Sequence, residues 1–363
     1  VFWIPWMILE VKTVGYVVSA ATYQSFNFNV GMIVVTLFII AYSFYGGIRA
    51  SAIGGLIQGI TFTVLGTILM YILIFKAYGG VIPLFRNTIE FNPQLLTLQG
   101  VYGGNLWTSS ILAGILGSFC WPGVFTSIYR ADSPKSVKKA VYVAPLAGIF
   151  IMLFILLLGL GGRMIDGFPA DAQAGIFWIG DKFLGPVGLA LIGILALAAC
   201  MSTISPMINV ASVLIAKDFG GLVKNVSREK ILPYARIGTI MVGLIVLFLA
   251  TFPLPNLMTI ALIMYNCIVQ AIVPILLGLF WRKGNVYGAA AGMLSGVVVV
   301  LYTTFVPESI AWANGWSGGM LGLGINLLLY IIIGFLLPQQ EHVDELFTAL
   351  EQFKSEDIVS KLI

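Results

Sequence analysis

From Phe183 to Ala216 the chain runs without a charged residue, and that stretch constrains the fold more than any other feature. A helix needs about 20 apolar residues to cross the hydrocarbon of a bilayer, and this one has residues to spare. Similar runs recur along the chain. Charged residues make up 9% of the total and hydrophobic ones 59%, whereas soluble domains carry roughly 25% charge. The sequence therefore reads as an all-α, polytopic membrane helix bundle. The spanning segments are 1–24, 29–45, 48–77, 104–130, 137–163, 185–216, 231–251, 255–281, 286–306 and 317–337. Only Gly46 and Gly47 separate the second from the third, so one tight turn must reverse the chain there.

Loop charges orient the stack, because cytoplasmic loops are enriched in Lys and Arg. Arg130, Lys135, Lys138 and Lys139 mark one inner loop. Lys217, Lys224, Arg228, Lys230 and Arg236 mark a second, and Arg282 with Lys283 a third. The alternation puts Arg49 inside, the 76–105 loop outside, and the start of the chain and its tail in the cytoplasm. The chain opens on a hydrophobic stretch with no initiator Met and no signal peptide, as expected of a start in the middle of a protein. In the tail, 338–363, Val343, Leu346, Phe347, Leu350 and Phe353 follow helical spacing with acidic residues between them. That is a short amphipathic helix on the membrane surface or packed on the cytoplasmic loops, or simply a solvated terminus. One His and three Cys exclude a disulfide framework and a Cys/His zinc site. The basic residues lie between spans, which argues against a nucleic-acid partner, and no obligate protein partner is evident.

Inside the spans, polar groups are few. Ser202 and Thr203 sit together in the apolar run 194–206, after Ala198 and Ala199 and before Pro206. Proline has no N–H to bond the carbonyl four residues earlier, which is that of Ser202. A free carbonyl beside two hydroxyls in a dry place suits a hard monovalent cation, so the patch reads as half of a sodium site. Glu10 and Lys12 are the ionisable residues of the first span. Intramembrane charge is functional by default: Glu10 faces a water-filled cavity and contacts substrate or cation, or it neutralises a Lys or Arg on a helix missing from this chain. Gly114, Gly117 and the run Trp121, Pro122, Gly123 can break the fourth span, which is tolerated where backbone faces protein or a cavity. Trp121 would then stack on a ligand or gate the pathway; otherwise the helix is kinked and Trp121 packs on a neighbour. Tyr265, Asn266 and Gln270 form a third cluster, placed to bond a substrate or, more ordinarily for bundles, neighbouring helices.

Together these residues resemble the sodium:solute symporter family, with its leucine-transporter-like inverted-repeat fold. Tyr45, Gly46, Gly47, Ile48, Arg49 and Ala50 through Gln58 are similar to the family's glycine turn and following helix. Trp121 and Pro122 through Arg130 to Ala140 resemble its broken helix and basic loop. Ala198 to Thr203 followed by Asp218 and Phe219 resemble its sodium-site helix. Pro274, Leu279, Phe280, Trp281, Arg282 and Lys283 with Gly288, Ala289, Gly292, Met293 and Gly296 are the most specific stretch. The resemblance implies a sodium ion held by the carbonyl of Ala199 and the hydroxyls of Ser202 and Thr203. The candidate solute contacts are those read above at Trp121, Pro122, Gly123, Glu10, Tyr265, Asn266 and Gln270. The resemblance also implies a transmembrane bundle, 1–337, in which the first repeat of a 5+5 fold is incomplete (1–77), the second is 104–281, and 286–337 are extra helices. About three N-terminal spans of such a bundle, with further cation ligands, are then missing from this sequence. Two departures stand out: Gly54 and Gly55 replace a Thr-Asp pair, and Pro206 replaces a small hydroxyl residue.

The function so implied is secondary active transport in the plasma membrane: sodium-coupled symport of a small organic solute by alternating access. Trp121 with Pro122, and Ala144 with Pro145, resemble the branch that carries organic anions such as monocarboxylates or pantothenate. The alternatives are symport of an amino acid or other polar solute, or an inactive fragment. An intramembrane enzyme is disfavoured, since no catalytic pair lies within the spans, and a passive channel would need polar faces on several helices.

Overall fold

The computed structural model describes residues 3–98, 103–219, 228–253, 257–306, 308–338, 343–349 and 351–352. The chain divides into two compact units. The first comprises Trp3–Leu98 and Phe125–Ile260, the second Gln99–Val124 and Ala261–Ile363. Among the described residues, nine helical stretches are long and apolar enough to cross a membrane.

The first unit opens with α1 (Ile4–Ala21), started by Pro5 in its first turn. Next comes α2 (Phe28–Tyr78), whose first turn is capped by the Asn27 side chain accepting from the Val30 N–H, and which ends at Gly79 in the left-handed conformation. A straight helix of these 51 residues would be about 76 Å long at 1.5 Å per residue, far more than one bilayer. The backbone leaves helical values at Gly47 (φ 54°, ψ −149°), a geometry that favours glycine. Ser43 and Ser51 lie eight residues apart, yet both hydroxyls bond the hydroxyl of Ser205. Only a chain that doubles back between them can do this, so the expected turn is present.

The loop expected over 76–105 contains α3 (Val81–Phe91). Its sequence lacks a long apolar run; two inward residues one turn apart, Leu84 and Thr88, carry its buried face. After α4 (Gly103–Phe119) and α5 (Pro122–Arg130) of the broken fourth span, Ser133 caps α6 (Pro134–Gly162). The long α7 (Gly175–Leu214) departs from helical geometry at Gly185 (φ 65°, ψ −161°), just before Pro186. Its second part packs against α1, α2 and α8 (Arg228–Ala250). A cluster including Leu73, Ile74, Ile151, Leu158, Ile179 and Leu195 forms the core. Leu56, Ile57, Ile60 and Val64 each leave more than half of their surface uncovered, which suits a face turned to lipid rather than water.

In the second unit, α9 (Leu257–Ile268) passes through a 3₁₀ turn at Val269–Ala271 into α10 (Ile272–Phe280). Asn285 caps α11 (Val286–Phe305) by accepting from the Gly288 N–H at 2.8 Å. A short helix, α12 (Ser309–Trp312), precedes α13 (Gly318–Leu336). Helices α11 and α13 pack closely through Gly288, Gly292 and Gly296 on one and Gly318, Gly319 and Gly322 on the other; these glycines face the partner helix or α9. Small residues let helix backbones approach in lipid, where packing replaces the hydrophobic effect. The tail helix at 343–349 is met by Arg282, which bonds Glu351 at 2.7 Å and stacks over the Phe347 ring at 5.3 Å.

Candidate cation and solute sites

The second half of α7 carries the polar patch. The Ser202 hydroxyl donates to the Ala199 carbonyl at 2.7 Å, and the Thr203 hydroxyl donates to the same oxygen at 3.2 Å. Three protein oxygens thus converge within one helical turn, on a half-buried surface. Pro206 lies inside the helix and leaves the Ser202 carbonyl without its usual intrahelical donor. The donors are neutral and all oxygen, the set that hard cations take, and carbonyls freed by helix irregularity serve sodium in transporters. These residues therefore fit a sodium ion.

Glu10 comes to this patch from α1. It is buried (8% exposed), accepts from the Trp6 indole N–H at 2.8 Å, and lies beside Cys200 and Thr203. Lys12 is directed elsewhere, donating to the Phe252 carbonyl at 2.9 Å.

Further along α7 lies a network that the sequence reading did not include. Ser205 bonds Ser43 at 2.9 Å and also bonds Ser51. The Asn209 amide donates to Ser51 at 2.7 Å and to the Ser205 carbonyl at 3.0 Å. Ser212 donates to the Asn209 carbonyl at 2.8 Å and receives a bond from Thr239 at 3.2 Å. All six side chains are buried. The signal was present in the spacing: Ser202, Ser205, Asn209 and Ser212 recur at intervals of three and four, which places them on one helix face. The stripe ends beside a cavity of about 320 Å³ lined by Asn209, Ser212, Thr239, Arg49 and Arg236.

In the second unit the expected break is present. Helix α4 stops at Phe119 and α5 starts at Pro122, with the Cys120 and Trp121 N–H groups bonding the carbonyls of Gly117 and Ser118. The Trp121 ring stacks on Tyr265, with centroids 6.0 Å apart and planes 19° from parallel. Gly117 makes room for α9, since a Cβ there would lie 3.3 Å from the Tyr265 ring. Gly123 sits under Trp121, where a Cβ would meet the indole at 3.4 Å. Tyr265 is thus brought to Trp121, Pro122 and Gly123. Gln270 is buried and points to α13: its amide donates to the carbonyls of Gly319 at 2.9 Å and Asn266 at 3.1 Å. Asn326 donates to the Gln270 carbonyl at 2.7 Å. Asn266 packs against Gly319, where a Cβ would meet its side chain at 2.3 Å. Gln270 therefore makes a helix-to-helix bond, one of the two uses the sequence allowed, while Asn266 packs against α13.

The fold is that of a polytopic helical membrane protein, with a helix break before Pro122 and a long α7 that departs from helical geometry at Gly185. Residues 9–296 match the sodium:solute symporter family, and the chain belongs to it. Membership places it among transport proteins rather than enzymes. It is 26% identical over 347 residues to the uncharacterized symporter YhjB of Bacillus subtilis, covering 92% of this chain and 71% of that protein. It is 23% identical over 344 residues to the sodium/pantothenate symporter of Escherichia coli, covering 91% and 70%. Among solved structures, a Na⁺-coupled sialic acid symporter in a substrate-bound outward-open state superposes with a TM-score of 0.72. At 19% identity, over 93% of this chain and 73% of the other, that likeness shows a shared fold.

Proposed function

We propose that the protein is a sodium-coupled symporter of a small organic solute, working by alternating access in the plasma membrane with its C-terminal tail in the cytoplasm. The observation that carries this reading is the convergence of the Ser202 and Thr203 hydroxyls on the Ala199 carbonyl. Sodium is cargo here: the hydroxyls turn their lone pairs to the ion, and the carbonyls of Ala199 and Ser202 complete this helix's share of its shell. The buried stripe through Ser205, Asn209 and Ser212 then offers the ion a polar path toward the cavity at Arg49 and Arg236. The fold is read as an inverted repeat, with 1–77 in the first repeat, 104–281 in the second, and 286–337 outside both.

The solute is an organic anion of the monocarboxylate or pantothenate kind. The reading rests on the Trp121-Pro122 break and on similarity to a relative named for pantothenate. Trp121 and Tyr265 supply a flat apolar face, Pro122 and Gly123 an opened backbone, and Asn266 and Gln270 brace that helix from behind. The test is uptake of radiolabelled pantothenate, lactate and proline by the full-length protein in vesicles. Trp121→Ala is expected to raise the half-saturating concentration of the transported acid about three- to tenfold, the loss of one aromatic contact. An unchanged value would return Trp121 to packing on Tyr265, and uptake of proline alone would replace the anion by an amino acid.

A further inference from the structure

Among the described residues, no basic side chain is paired with Glu10. Its carboxyl is buried on α1, and the groups that meet it, Trp6, Cys200 and Thr203, are uncharged hydrogen-bonding groups. Lys12, the nearest cation in sequence, spends its ammonium on the Phe252 carbonyl. Among the described residues the ion pairs all involve Arg282, at the other end of the sequence. A carboxylate in a dry interior is costly without a balancing charge. Trp6 anchors one of its oxygens, and the carboxyl lies beside Thr203 of α7. The Thr203 hydroxyl itself donates to the Ala199 carbonyl at 3.2 Å.

We propose that Glu10 is a ligand of the cation site on α7, supplying its negative charge, with the transported cation as its counter-ion. This deepens the sodium reading above and rests on it. It moves Glu10 from the solute-contacting set to the cation-binding set. The site then takes oxygens from two helices, α1 and α7, so occupancy by the ion ties one to the other. One carboxylate among neutral oxygens balances a single positive charge; divalent sites of the calcium kind gather several carboxylates. The ligand class is therefore a hard monovalent cation.

Equilibrium binding of ²²Na⁺ to the purified full-length protein, with choline as the replacement cation, tests this. Glu10→Gln keeps the side-chain length and an acceptor for Trp6 while removing the charge. It is expected to raise the half-saturating sodium concentration at least tenfold, and to abolish the rise in thermal unfolding temperature that sodium gives the parent protein. Glu10→Asp, which keeps the charge but withdraws it, is expected to give a smaller shift in the same direction and serves if the Gln variant does not fold. Sodium binding equal to the parent's in either variant would overturn the proposal. So would a Glu10→Gln variant that loses solute affinity while keeping its sodium curve. Thr203→Ala separates the two readings. If it weakens sodium binding while both Glu10 variants do not, the Glu10 assignment alone fails. If none of the three does, the sodium site on α7 fails with it.

Discussion

Thr203→Ala is expected to raise the sodium concentration for half-maximal binding by roughly ten- to a hundredfold. A hydrogen-bond-type contact to a charged partner contributes about 1.5–3 kcal/mol, and each 1.4 kcal/mol is about a factor of ten in affinity. The fold tolerates the change, because the Ala199 carbonyl keeps its shorter bond from Ser202 and no backbone group loses its partner. Thr203→Ser restores the hydroxyl and is expected to bind sodium within about threefold of the parent, a few tenths of a kcal/mol. Titration with ²²Na⁺ reads both variants. A parent-like curve for the alanine variant would remove Thr203 from the site.

The second large effect falls on stability. At Gly322 a Cβ would lie 2.5 Å from the Gly296 carbonyl oxygen and 3.1 Å from the Gln270 amide nitrogen. The first of these is backbone and cannot rotate aside, so α11 and α13 must separate. Overpacking of this kind costs about 1–3 kcal/mol or more, and a bundle in lipid has only close packing and hydrogen bonds to hold such a pair together. The Gln270 and Asn326 bonds across the same contact would stretch with it. Gly322→Val should therefore lower the thermal unfolding midpoint in detergent by several degrees. Gly324→Val is the internal control: it is on the same helix, but nothing lies within 4 Å of its Cβ position. Equal midpoints for the two variants would contradict the packing account.

What the sequence could express depended on how local the cause was. Gly46 and Gly47 disclosed the turn in α2 because 51 residues of helix cannot fit one bilayer and only glycine takes that backbone angle freely. Trp121 and Pro122 disclosed the broken helix because proline and its neighbours act on their own turn. Ser202 and Thr203 stood out as adjacent hydroxyls in an apolar run, and the structure shows both bonding the Ala199 carbonyl within one turn of α7; their use as a cation site is a proposal. The Ser43, Ser51, Ser205 and Asn209 network was not read, because it forms only when both arms of the α2 turn meet α7. That contact joins residues more than 150 positions apart, and periodicity within one helix says nothing of which helix lies opposite. Glu10 shows the same limit. Its rarity marked it as functional, but only the packing of α1 on α7 puts it against Thr203 rather than another polar group. The tail reading is a further case: 343–349 is helical as the spacing suggested, while its partner Arg282 is set by tertiary contact.

Coupling itself is tested most directly by solute accumulation in proteoliposomes holding the full-length protein, with an inward sodium gradient and with choline in its place. The account predicts uphill accumulation with sodium, little without it, and a loss of gradient-driven uptake in Thr203→Ala that excess sodium partly restores. Accumulation of the same size in choline, or a Thr203→Ala variant with the parent's sodium dependence, would contradict it.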